Sequence, residues 1–238
     1  MTGPLLFRAE RIAKRFGGFT ALDSVDFEVS AGERVGLIGP NGSGKSTLVG
    51  CASGSLRNNE GAIWFEGRRI DRLSPHERVR AGLVRSFQLP RPFRGLTIAE
   101  NLRVPLFFAG RQGREEDAID EALEFVGLTA RRKAMPQDLT QVDLRKLDLA
   151  RATVAKPLLL FVDEAMAGLS HSEIDEILAV LMRMNDGGVA IVMIEHIMRA
   201  VTAFSQRLVV LVAGRKLADG DPDQVLANVE VQRAYLGE

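Results

Sequence analysis

The sequence predicts an α/β chain: a mostly parallel sheet, an antiparallel β flap ahead of it and an inserted α-helical subdomain. Three observations carry that reading. Short apolar runs at residues 35–38, 158–162 and 189–194 each end in glycine or polar residues, as strands buried on both faces of a parallel sheet do. Helical patterns lie between these runs, which is the alternation of a parallel α/β layer. From Thr97 to about Lys156 the pattern stays helical, so this block is read as the insertion.

Residues 5–14 and 21–29 read as short strands, with Gly17 and Gly18 making the turn between them. Asp23, Asp26 and Glu28 partly alternate with apolar positions, and the pair forms the flap. Phe16 stands beside the turn, where an aromatic ring either stacks on an adenine or packs under the flap. The run 35–38 then enters Gly39, Pro40, Asn41, Gly42, Ser43, Gly44, Lys45, Ser46 and Thr47, followed by a helix through Ser53. These residues fit G-x-x-x-x-G-K-[ST]. Glycines let successive N–H groups converge on phosphates, and the helix adds its positive end. Lys45 neutralises phosphate charge, and Ser46 offers a hydroxyl to Mg²⁺, which binds few protein ligands. By composition the pattern arises by chance roughly once in a hundred chains of this length, and here strand and helix flank it. The core is therefore read as that of a P-loop nucleoside triphosphatase.

Residues 62–65 read as a strand whose Trp64 is assigned to the core. Ser74 and Pro75 start a helix, with His76 solvated on its surface. Residues 83–87 form another buried strand, ending at Gln88 before a loop with Pro90, Pro92 and Gly95. In the helical block, Thr97 and Glu100 have capping-box spacing and residues 117–126 have apolar positions at helical intervals. Residues 110–116 read as an exposed loop without chemistry.

The strand at 158–162 ends in Asp163 and Glu164. Ligands bind beyond the carboxyl ends of parallel strands, so Asp163 can face Mg²⁺ and Glu164 a water at the γ-phosphate. The strand at 189–194 brings Glu195 and His196 to the same edge, where His196 is either structural or a γ-phosphate contact. Strands at 208–212 and 216–219 surround Gly214, and two short helices follow from Pro222. The division is one domain over 1–238: flap and cradle core in 1–96, helical subdomain in 97–156, and the rest of the core with C-terminal helices in 157–238.

Lysine plus arginine and aspartate plus glutamate number 31 each, so no basic excess points to nucleic acid. The single cysteine, Cys51, forms no internal disulfide and suits a buried helix position in a reducing compartment. Residues 1–10 lack the apolar centre of a signal peptide, and no run approaches the ~18 apolar residues of a membrane span. Any membrane role is expected through a partner.

With the cradle, Gln88, Asp163-Glu164 and His196 in this order, the chain resembles, essentially end to end, the ATPase subunit of ABC transporters. The resemblance implies that Phe16 stacks on adenine and that Gln88 senses Mg²⁺ and faces the membrane subunit. It likewise implies that Glu164 polarises water and that His196 meets the γ-phosphate. Residues 15–18, 93–102, 167–169, 194–196 and 233–238 look like the branched-chain amino acid importer branch, which also holds urea and amide importers. ATP and Mg²⁺, integral membrane permease subunits and, indirectly, a solute-binding protein are thereby implied, with a peripheral place on the cytoplasmic face of the plasma membrane.

One motif departs from the family pattern. The signature Leu-Ser-Gly-Gly-Gln, which closes on ATP held by a partner ATPase, is here Leu139, Thr140, Gln141, Val142 and Asp143. Thr140 keeps a hydroxyl, but a branched Val142 and a charged Asp143 are expected to weaken closure. Ala165 replaces the usual proline, and Ser170 the usual aspartate or asparagine. The expectation is a heterodimer in which a second ATPase chain supplies an intact signature, against the alternative of a regulatory subunit with little turnover.

Overall fold

The computed structural model describes residues 3–86, 90–108 and 115–236. In chain order the first elements are β1 (Leu5–Phe16), β2 (Phe19–Ser30), β3 (Arg34–Ile38), α1 (Lys45–Ser53), β4 (Glu60–Phe65), β5 (Arg68–Arg69), α2 (Pro75–Arg80) and β6 (Leu83–Arg85). Then come α3 (Ile98–Phe108), α4 (Glu115–Val126) and, after two 3₁₀ turns, α5 (Gln141–Val154). The chain continues through β7 (Leu159–Asp163), α6 (His171–Asp186), β8 (Ala190–Ile194), α7 (Met198–Phe204), β9 (Arg207–Val212), β10 (Arg215–Gly220), α8 (Pro222–Ala227) and α9 (Val229–Leu236).

Two sheets form. The flap is antiparallel, in the order β2-β1-β4-β5, and its first two strands run longer than the sequence predicts, pairing from Leu5↔Ser30 out to Phe16↔Phe19. The larger sheet has the order β10-β9-β3-β8-β7-β6 and is parallel except for β10 against β9. Its central strands are wholly buried because both faces are covered. Phe161 of β7 points to the flap, where its ring meets Phe7 edge-on at 5.8 Å between centroids. Leu160 and Val162 point the other way, into one apolar core with Leu102 of α3, Leu123 of α4, Leu147 of α5 and Ile177 of α6. Alternation along a strand thus divides the core into a flap side and a helix side.

Three local expectations change. Trp64 is half-buried on the outer face of β4, where its indole N–H donates to Glu10 Oε2 at 3.1 Å and Arg8 lies over the ring. Its neighbours Ile63 and Phe65 fill the core instead, one pleat position away. The stretch 110–116 is not all loop, since Glu115 and Glu116 begin α4 and Glu116 pairs with Arg103 and Arg132. Acidic residues belong in a first helical turn, where they meet its positive end. The strand expected at 83–87 is described as β6 (Leu83–Arg85), with Phe87 outside the described residues.

Candidate functional site

Register brings the polar strand ends together. Leu37 pairs with Ile194 and Ile194 with Asp163, so β3, β8 and β7 finish level on one edge. Gly39 follows β3, Glu164 follows β7, and Glu195 and His196 follow β8. The predicted cradle, carboxylates and histidine therefore share one edge of the sheet.

The cradle needs its glycines for space as well as for backbone freedom. Gly39 has φ +150°, and a Cβ there would lie 2.1 Å from the Leu211 carbonyl oxygen. Gly44, at φ +103°, sits against the Ala21 carbonyl and opens α1. Lys45 Nζ donates to the carbonyls of Gly39 at 2.7 Å and Pro40 at 3.1 Å, so its cation is folded back over the loop. Burial pushes the Lys45 ammonium down from its ordinary pKa, while the charges of Glu164 and Asp163 pull it up. Ser43 is buried, and its hydroxyl has no partner within the described residues.

Asp163 is almost fully buried and pairs through Oδ2 with Arg85 Nη2 at 2.6 Å. Glu164 takes a left-handed φ of 46°, with its N–H donating to Ile194 O at 2.9 Å. Such a backbone costs a non-glycine residue ~1–3 kcal/mol and is sustained only by surrounding contacts. His196 Nδ1 lies 3.8 Å from Glu164 Oε1. Phe16 is exposed rather than tucked under the flap, with Lys14 Nζ 4.9 Å from its ring centroid. Gln88 lies outside the described residues.

For Mg²⁺ the donor chemistry fits. Asp163 and Ser46 offer hard oxygens beside the phosphate cradle, and no cluster of three His, Cys, Asp or Glu able to hold a metal occurs among the described residues. Mg²⁺ takes one or two protein oxygens and completes its shell with phosphate and water, so a fuller cage is unnecessary.

The signature segment is placed differently from its expectation. Thr140 caps α5, its Oγ1 accepting from Asp143 N at 3.2 Å. Val142 is turned inward and buried in the helix-side core, so it does not present a branched chain to a partner. Thr140 and Gln141 are the exposed residues of the segment, with Asp143 partly exposed beside them.

Sequence reasoning missed two positions. Arg85 reaches Asp163 across 78 residues of chain, and Arg78 lies buried beneath α1, donating to Cys51 O and Ala52 O.

Residues 22–167 match the family model described as ABC transporter, and residues 215–238 match the one described as branched-chain amino acid ATP-binding cassette transporter. The high-affinity branched-chain amino acid transport ATP-binding protein LivG of Escherichia coli is 36% identical over 257 residues, covering 100% of both chains. BraF of Pseudomonas aeruginosa, of the same description, is 35% identical over 255 residues, again covering 100% of both. Among solved structures, a nucleotide-free ATP-binding cassette from an ABC transporter superposes with a TM-score of 0.88 at 30% identity, covering 98% of this chain and 100% of that one. An ADP-bound conformation of an ATP-binding cassette matches with the same TM-score and identity, covering 98% and 99%.

Proposed function

The chain belongs to the ABC transporter ATP-binding family, and from that premise we propose that it is the ATP-hydrolysing subunit of an importer for branched-chain amino acids or a related amide or urea. The observation that carries this reading is the shared strand edge, where Lys45, Asp163, Glu164 and His196 converge.

In this reading the cradle N–H groups and Lys45 bind the ATP phosphates, and Phe16 stacks on the base. Asp163 and Ser46 would hold Mg²⁺, which would supply charge neutralisation for the phosphates. Glu164 orients and polarises the attacking water, and His196 holds its imidazole toward the γ-phosphate. Gln88 is assigned, from the family resemblance, the sensing of Mg²⁺ and of the permease. Nucleotide-driven closure against a second ATPase then moves the permease subunits.

Association with the membrane runs through those permeases on its cytoplasmic face, since no helix among the described residues is long and apolar enough to cross. An open groove of about 820 Å³, lined by residues including Pro92, Arg94, Pro136 and Leu144, supports permease docking beside the 90–96 loop. A solute-binding protein would act on the far side. No nucleic-acid partner is invoked.

The partner ATPase is a different chain in this proposal. Gln141 and Asp143 stand at the exposed start of α5, where a carboxylate repels phosphate and an amide side chain obstructs close backbone approach. Gln141→Gly with Asp143→Gln, leaving buried Val142 in place, is expected to raise ATP turnover of the purified chain at least about tenfold. Equal and rapid turnover before and after would instead favour a homodimer. A regulatory subunit is the second reading favoured by the same two residues, and it requires that Glu164→Gln change little.

A further inference from the structure

We propose that Glu195 is a positioning residue that fixes the turn carrying Glu164 by holding the backbone N–H of Met166. The proposal rests on the reading of Glu164 as the group that polarises water.

Glu195 follows the last residue of β8 and is 1% exposed. Its Oε1 accepts from Met166 N at 2.8 Å. Two residues earlier, Glu164 N–H donates to the carbonyl of Ile194 at 2.9 Å. The turn after β7 is therefore pinned to the end of β8 at two points, one through main chain and one through the Glu195 side chain. Between those points lies the left-handed backbone of Glu164. A strained residue keeps its conformation only where neighbours over-determine it, and the bond from Met166 N–H to Glu195 Oε1 ties this turn to β8 through a side chain.

The choice of residue also needs an explanation. Ala165 and Met166 are buried, so an apolar side chain at 195 would pack adequately. A carboxylate is present instead, and its second oxygen, Oε2, is buried without a hydrogen-bond partner among the described residues. Leaving such an atom unsatisfied costs about 1–3 kcal/mol, which stability alone does not explain. Arg145 of α5 is buried too; burial holds its pKa below the ordinary value, and the carboxylates of Asp148 and Glu195 partly offset that. Glu195 thus lies between the Glu164 turn, the adjacent His196 and the helix that begins with the signature segment. Without its acceptor, Met166 is released and Glu164 can relax out of its left-handed pose, away from the position facing His196.

The test is ATP turnover against ATP concentration by the full-length chain assembled with its transporter partners. Wild type is compared with Glu195→Ala, Glu195→Asp, Glu195→Gln and Glu164→Gln. Alanine removes the acceptor, and aspartate withdraws it by one methylene while keeping the charge. Both are expected to lower kcat about 10- to 100-fold, as a misplacement near 1 Å does, with KM and nucleotide Kd changed by less than about twofold. Glutamine still presents an oxygen to Met166 N–H and should recover most of the lost kcat. Hydrogen exchange at the Met166 segment should rise in the alanine and aspartate variants and fall back in the glutamine one. If alanine fails to fold, aspartate decides. Wild-type kcat in the alanine or aspartate variant, with Glu164→Gln inactive, overturns the proposal and leaves the base assignment standing. Equal kcat losses in all three Glu195 variants overturn it too. Wild-type turnover by Glu164→Gln overturns instead the reading on which the proposal rests.

Discussion

Arg78→Ala should destabilise the protein from beneath the nucleotide cradle. Arg78 is 2% exposed, and its Nη1 donates to Cys51 O at 2.7 Å and Ala52 O at 2.6 Å, with Nε donating to Leu73 O at 3.2 Å. Cys51 and Ala52 lie in the last turn of α1, where carbonyls carry the negative end of the dipole, and Cys51 O also accepts from the Gly54 N–H at 3.3 Å. Gly54 makes room for this bond, because a Cβ there would lie 2.8 Å from Arg78 Nε. Each charge-assisted bond contributes about 1.5–3 kcal/mol. Counting the two short bonds, and subtracting the relief of a desolvated guanidinium, leaves a loss of about 3 kcal/mol. For a chain of this size that is about 6–12 °C in Tm. The assay is thermal unfolding of the nucleotide-free protein, with Arg78→Lys expected to lose less because one bond can be remade. A Tm within about 2 °C of wild type for Arg78→Ala would refute the reasoning, because the carbonyls would then be satisfied without the guanidinium.

Other outcomes follow from the charges around the cradle. Lys45 has its pKa lowered by burial, so the folded chain gives up this proton at a lower pH than the unfolded chain does. As pH rises from the lowered value to the ordinary lysine value, nucleotide-free stability from this group should increase while ATP affinity falls with the lost ammonium. Melting and nucleotide titrations across that window check the two opposite slopes. Arg85→Gln strips Asp163 of its partner and should cost the nucleotide-free protein about 3 kcal/mol. Saturating Mg-ATP should recover part of that loss, measured as a larger ligand-induced rise in Tm than in wild type.

The sheet edge was legible in the sequence because fully buried parallel strands are apolar throughout and end abruptly. Residues 35–38, 158–162 and 189–194 therefore place Gly39, Asp163 and His196 at strand ends, and the cradle identifies the ligand class. Residue faces were harder. Val142 was read from its place in a motif, yet Val142, Arg145, Leu149 and Ala152 fall three, seven and ten residues along one helical stripe, and all are buried. That periodicity was present in the sequence and would have turned Val142 inward. Trp64 failed for a related reason, since a short strand with both neighbours apolar does not reveal which pleat face is inside. The ties of Arg78, Arg85 and Glu195 were not legible at all, because each joins segments distant in sequence and none has a spacing that fixes its partner.

The most direct test of the account is ATP hydrolysis by the assembled transporter with wild-type chain and with Glu164→Gln, with bound nucleotide identified in parallel. The account expects hydrolysis at this site to fall about 10²- to 10⁴-fold, the range for loss of a general base, with intact ATP retained in the cradle. Wild-type hydrolysis by Glu164→Gln, or loss of nucleotide binding with the activity, would contradict it.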